Sequence, residues 1–191
     1  MSAALKKADR RREILDAALE LFVERGFHGT AVPEIATRAS VGLGTIYRYF
    51  ESKDQLVNEL YRSWKSQLGE ALAQASLQGT PRQQFHAMWE RMLVFVREQP
   101  KGFEFVELHH HAPYLDDERR AQERRMHDFG VALVMHAQSE GRMRAGSPVV
   151  LMALIIGAFT GLVRFVREGR LVLDAEASAL AEQACWDLVR A

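Results

Sequence analysis

Apolar residues recur at helical spacing along almost the whole chain, and that periodicity limits the fold more than any other feature. Ile14, Ala18, Leu21 and Phe22 form one such stripe, and no stretch alternates in the manner of a half-buried strand. The fold class is all-α. Breaks at Gly26, Gly42 with Gly44, Gly79 to Pro81, Pro100 to Gly102, Pro113, Gly141 to Pro148 and Gly169 imply about nine helices. A length of 191 residues suffices for a small domain joined to a larger one. There is no internal repeat or low-complexity tract, which argues against solenoids and disordered linkers.

Several helix starts carry their own chemistry. Thr80, Pro81 and Gln83 supply a cap oxygen, a first-turn proline and a side chain that reaches back to the cap. Ser52 with Gln55 forms the same box, and Ser147-Pro148 opens an apolar segment with a cap and a proline. Ahead of the second helix, Ala31 has no side-chain acceptor, so Thr30 is expected to cap there, with Pro33 in the donor-free first turn.

Lys plus Arg number 25 and Asp plus Glu number 25, so the chain as a whole has no basic signature, and any nucleic-acid site must be local. Lys6, Lys7, Arg10, Arg11 and Arg12 stand against Asp9 alone, where a flexible arm would reach phosphates; a merely solvated terminus is the other reading. Cys185 is the only cysteine, which excludes an internal disulfide and suits a reducing compartment. No apolar run follows the N-terminal charges, so a cytoplasmic protein is expected. Val149 to Val163 falls short of the ~20 residues of a spanning helix and reads as a buried helix, with no membrane partner. No G-x-S-x-G, P-loop or H-E-x-x-H occurs, so neither an enzyme nor a cofactor is expected.

Three short helical stretches open the chain: Arg10 to Arg25, Val32 to Ala39 and Leu43 to Tyr49, the last two joined by a tight Ser40-Val41-Gly42 connection. Such closeness suggests helix-turn-helix geometry, in which the second helix of the pair enters the major groove. Leu43, Gly44, Thr45 and Arg48 then face DNA. Tyr47 and Tyr49 add hydroxyls suited to phosphates, although ordinary packing is the other reading of two tyrosines here. Lys53 begins the next helix, where its charge and the helix N-terminus both attract phosphate. Ile46 and Phe50, four apart, turn inward onto Ile14, Leu21, Ile35 and Ala36.

Residues 14 to 56 resemble the DNA-binding domain of TetR/AcrR-type repressors. The resemblance is carried by the apolar first helix ending at Gly26-Phe27, by Glu34-Ile35-Ala36, by Gly44-Thr45-Ile46-Tyr47-Arg48-Tyr49-Phe50, and by Lys53 and Leu56. It implies that Thr45, Tyr47, Tyr49 and Lys53 grip phosphates while Leu43, Gly44 and Arg48 contact bases. It also implies a helix-turn-helix domain over 1–52 and a ligand-binding and dimerisation domain over 53–191. The sequence departs from the family pattern at Ala31, usually Ser or Thr, and at Ser40, often glycine.

Beyond Glu51 the reading is generic. Residues 53 to 78 read as one long helix suited to carrying motion to the DNA-binding unit. Residues 85 to 108 are rich in aromatics and methionine, a composition for solid core or for a ligand pocket. Trp89, Met92, Phe103, His109 and His110 are the expected ligand contacts. Adjacent His109, His110 and His111 point about 100° apart on a helix and cannot all hold one ion, so a metal-responsive regulator is the alternative to a small-molecule one and needs further ligands. Residues 148 to 168 and 174 to 190 read as closing helices. The first is apolar nearly all round and needs cover that a second protomer supplies, with Leu151, Leu154, Phe159, Trp186 and Val189 as interface candidates. The expected whole is a homodimeric repressor on a pseudo-palindromic double-stranded operator, released by a small-molecule effector.

Overall fold

The structure, a computed structural model, describes residues 3–108 and 112–191. The described residues form nine α-helices: α1 (Ala3–Arg25), α2 (Val32–Arg38), α3 (Leu43–Tyr49), α4 (Lys53–Ala73), α5 (Pro81–Glu98), α6 (Pro100–Phe103), α7 (Asp117–Ser139), α8 (Pro148–Arg167) and α9 (Ala175–Val189). A π-helical segment, Glu104–Leu108, and a short 3-10 turn, Ala112–Tyr114, lie between α6 and α7. Among the described residues the only extended pairing is an isolated bridge between Met143 and Arg190.

Most of the expected boundaries hold. At α5 the Thr80 hydroxyl accepts from the Gln83 backbone N–H while the side-chain Oε1 of Gln83 accepts from the Thr80 N–H, so both orphan donors are met. Ser52 accepts from the Gln55 N–H at the start of α4. Three details differ. Ser147 is positioned as the α8 cap but its hydroxyl makes no capping bond there. Thr30 does not cap α2: its hydroxyl donates to the carbonyls of Leu21 and Gly26, closing the end of α1 instead. Ala31 occupies the cap position, and Glu34 reaches back to accept from its N–H, so half of a capping box survives. The lever helix ends at Ala73, before residue 78, and α1 begins at Ala3, so the basic block is helical rather than a loose arm.

The chain divides into two compact units, one joining Met1–Gln67 with Gln99–Gln122 and the other joining Leu68–Glu98 with Glu123–Ala191. In the first, Ile14, Ala18, Leu21, Phe22, Ile35, Ile46, Phe50, Leu56 and Leu60 are buried together with Phe103 and Phe105. Phe22 stacks on Phe27 and on Phe105, so the segment after α6 completes a core begun by α1. Gly102 is needed there, because a Cβ would fall 2.3 Å from the Trp64 ring. In the second unit the core contains Trp89, Leu93, Val134, Ala137, Leu151, Phe159, Trp186 and Val189. Buried Glu182 of α9 accepts from Arg82 and lies 3.0 Å from His86 Nδ1, tying α9 to α5.

Candidate functional site

The α2–α3 connection sets the direction of the third helix. Ser40 stands at φ 54, in the left-handed region, with its N–H donating to the Thr37 carbonyl and the Val41 N–H donating to the Ala36 carbonyl. That pair of bonds is a Schellman closure, built here on serine rather than glycine. It ends α2 at Arg38 and lets α3 start at Leu43. Ile46 and Phe50 are each 1% exposed and lock α3 onto α1 and α2. The opposite face is open: Tyr47 is 52% and Leu43 42% exposed, Arg48 is exposed, and a Cβ on Gly44 would meet nothing within 4 Å. Thr45 and Tyr49 are half-buried, and the Arg48 guanidinium lies 5.5 Å from the centre of the Tyr49 ring.

Lys53 is placed differently from the other six. Its ammonium donates to the carbonyls of Phe27 (2.8 Å) and Thr30 (2.9 Å) and sits 4.1 Å from the centre of the Phe27 ring. The charge is thus committed to the α1–α2 loop. Tyr114 stacks on Phe27 at 3.9 Å and its hydroxyl is 2.7 Å from His28 Nε2. Asn58 donates to the Tyr114 carbonyl and accepts from the Asp116 N–H. Two turns along α4, buried Lys65 pairs with Glu107 of the π-helical segment. Sequence reasoning did not find this support; the signal available was Asn58, Tyr61 and Lys65 at helical spacing on one stripe of α4.

Ion pairs knit the rest of the head. Arg10 pairs with Glu13, Arg11 with Glu59, and Arg12 with Asp9, which neutralises much of the basic block within the protein. Hydrogen bonds from Lys101 and then Arg38 hold Glu20 below the ordinary carboxylate range, and Arg38 does the same for Glu24. The Ala31 N–H, then Arg25, lowers Glu34. At Glu59 burial pushes upward, but hydrogen bonds from Arg62 and Arg11 outweigh it and the net direction is down. Asp16 goes the other way, raised mainly by burial.

The expected ligand contacts do not gather in one place. Trp89 is buried and Met92 half-buried in the second unit, whereas Phe103 is buried in the core of the first. His109, His110 and His111 lie outside the described residues, and among the described residues no group of three or more His, Cys, Asp and Glu is arranged to hold a metal. A separate open cleft of about 350 Å³ is lined by Gln74, Ser76, His86, Glu90, Arg91 and neighbours.

The interface candidates need correction. Leu151, Phe159, Trp186 and Val189 are turned into the core of the chain itself, and only Leu154 is exposed, at 43%. The apolar side that remains open consists of Val149, Val150, Leu154 and Phe165 on α8 and Leu180 and Leu188 on α9. Gly157 and Gly161 lie between them with open space over each. α8 runs over Pro148–Arg167, close to the expected 148–168, but it is not the buried helix expected: it is long and apolar enough to cross a membrane by length and composition, and only 17% of its apolar window is buried.

Two short helices joined by a tight turn, with the outer face of the second left open, in an all-helical chain, define the class of helix-turn-helix proteins. Residues 14–60 match the bacterial regulatory proteins of the tetR family, and residues 61–191 match the tetracyclin repressor-like C-terminal domain. The chain belongs to the tetR family. It is 42% identical over 62 residues to the HTH-type transcriptional repressor KstR2 of Rhodococcus jostii, covering 32% of this chain and 30% of that protein. It is 32% identical over 103 residues to the HTH-type transcriptional activator FasR of Mycolicibacterium smegmatis, covering 53% of this chain and 47% of that one. The chain therefore spans less than half the length of either of these curated relatives. A solved structure of a tetR family regulator from Shewanella is 26% identical with a TM-score of 0.79, over 95% of this chain and 98% of that one.

Proposed function

We propose that the chain is a cytoplasmic, non-enzymatic, homodimeric transcriptional repressor that binds a pseudo-palindromic operator and releases it when a small-molecule effector binds the region 53–191. The observation that carries this reading is the two-faced α3. Ile46 and Phe50 are fixed in the core, while Leu43, Gly44, Tyr47 and Arg48 face outward with groups that match base edges and phosphates. A packing helix of seven residues has no reason to hold a tyrosine and an arginine in solvent beside an uncovered glycine.

In this reading Leu43, Gly44 and Arg48 read bases, and Thr45, Tyr47 and Tyr49 hold phosphates. Lys53 sets the angle of the head through the Phe27 and Thr30 carbonyls, and the N-terminus of α4 supplies the phosphate attraction. Dimerisation follows from the open apolar sides of α8 and α9, which a second copy covers as a four-helix interface. Two heads then meet a duplex about one turn apart, ~34–36 Å. Repression is the sign supported by the similarity to the named repressor KstR2, and the similarity to the activator FasR is why the sign needs its own test.

The test is selection of bound sequences from a random duplex library with the full chain, followed by gel shifts on the selected site. A palindromic consensus is the expected result. Arg48→Ala is expected to lower affinity for that site by about tenfold or more while leaving binding to unrelated DNA little changed. Failure to enrich any sequence, or an Arg48→Ala protein that discriminates as well as the parent, removes the assignment. A reporter placed behind the selected site decides the sign of regulation.

A further inference from the structure

Trp89 lies at the centre of α5 and is 3% exposed. Its indole N–H is buried and has no hydrogen-bond partner in the protein. A buried donor left unmet is costly, and native proteins leave few of them. The rings around it cannot meet the need. Phe85 stacks on Trp89 at 5.9 Å, and Phe159 of α8 meets it edge to face at 5.0 Å, offering only a π face, a weak acceptor.

The surroundings are adaptable as well as apolar. Met88 and Met92 flank Trp89 on α5 and are half-buried. Met152, two turns from Phe159 on the same side of α8, presses its terminal methyl onto the backbone of α7, where a Cβ on Gly130 would fall 2.3 Å from it. Flexible thioether chains occupy volume that they can give up at small expense in strain, whereas branched side chains hold theirs.

We propose that the Trp89 N–H is the polar anchor of the effector site, and that the effector is an apolar molecule bearing one uncharged hydrogen-bond acceptor, such as a carbonyl. The methionine ends are the volume it displaces. An ionised head group does not fit, because a single N–H among Phe85, Phe159 and methionines cannot replace the hydration of a carboxylate. The inference rests on the effector-responsive reading above, and it names the chemistry of that site.

The experiment uses the whole chain and two probes of equal length, methyl octyl ketone and decane. The three tryptophans give three indole N–H signals in a proton–nitrogen correlation spectrum, and Trp89→Phe identifies the one that belongs to residue 89. The ketone is expected to move that signal downfield, whereas decane leaves it in place. Trp89→Phe, which keeps a ring at the site, is expected to weaken ketone binding by roughly fivefold to tenfold, the worth of one hydrogen bond, with decane binding unchanged. A ketone that binds without moving the signal, that binds the variant as tightly, or that does not bind at all overturns the proposal. Operator release is read separately by gel shift with each probe. A moved signal without release leaves the anchor standing and removes effector control.

Discussion

Lys53 shows how a residue type can be right for one role and occupied by another. Its charge at the start of α4 suits a phosphate, yet its ammonium is spent on the carbonyls of Phe27 and Thr30 and on the Phe27 ring. Lys53→Ala is therefore expected to lower the stability of the head by about 1–3 kcal/mol, the usual size of hydrogen bonds to a charged group, as read by urea unfolding. Arg48→Ala, on an exposed side chain, should leave the same curve within about 0.5 kcal/mol of the parent. If Lys53→Ala weakens DNA binding with no loss of stability, the ammonium is free to meet phosphate and the loop contact is incidental. The outward face of α3 was legible in the sequence because inward Ile46 and Phe50 fix its phase. The place of Lys53 was not, because its acceptors are backbone carbonyls 23 and 26 residues away, and carbonyls carry no sequence signal.

At the scale of elements, α1 is joined to α2 and to α4 by carboxylates that favour the charged state. Glu20, Glu24, Glu34 and Glu59 all lie below the ordinary range of 4.5, so the folded head binds fewer protons there than the unfolded chain does. Their contribution is in place above about pH 4.5 and is withdrawn as pH falls through the lowered values. Asp16, raised by burial, acts in the opposite sense but alone. The expected outcome is a urea midpoint that is flat from neutral pH to about pH 5 and then falls. Arg38→Ala, which removes partners of Glu20 and Glu24, should shrink that fall. An acid limb equally steep in the variant would show that these pairs do not matter. Helix starts at Thr80 and Ser52 were legible, since caps are local chemistry. The stop of α4 at Ala73 was not, because the residues from Gln74 to Gln78 are acceptable helix formers and carry no stop signal.

For the molecule as a whole, the proposed dimer rests on the division of apolar residues between the chain's own core and its open side. If the proposal holds, Leu154→Glu together with Leu180→Glu turns that dimer into a folded monomer, seen by sedimentation, with helical content retained. Phe159→Ala should act the other way, lowering stability by about 3–5 kcal/mol through a cavity beside Trp89, without first affecting association. A double variant that stays dimeric would place the interface elsewhere. The all-helical class and the head were readable from periodicity and from the order of residues 14 to 56. Which side of α8 faces in was not, because a helix apolar all round has no polar side to set its phase.

The path of the chain has a practical corollary for anyone who wishes to transplant this reading head. Phe22 stacks on Phe105, Phe27 on Tyr114, and Asn58 holds the turn at Tyr114, so residues 99 to 122 complete the body that residues 1 to 67 begin. A chimera spliced at residue 52 would leave its donor's aromatic wall behind. The transferable piece is the interrupted one, and domain exchange has to carry both segments or rebuild the missing side.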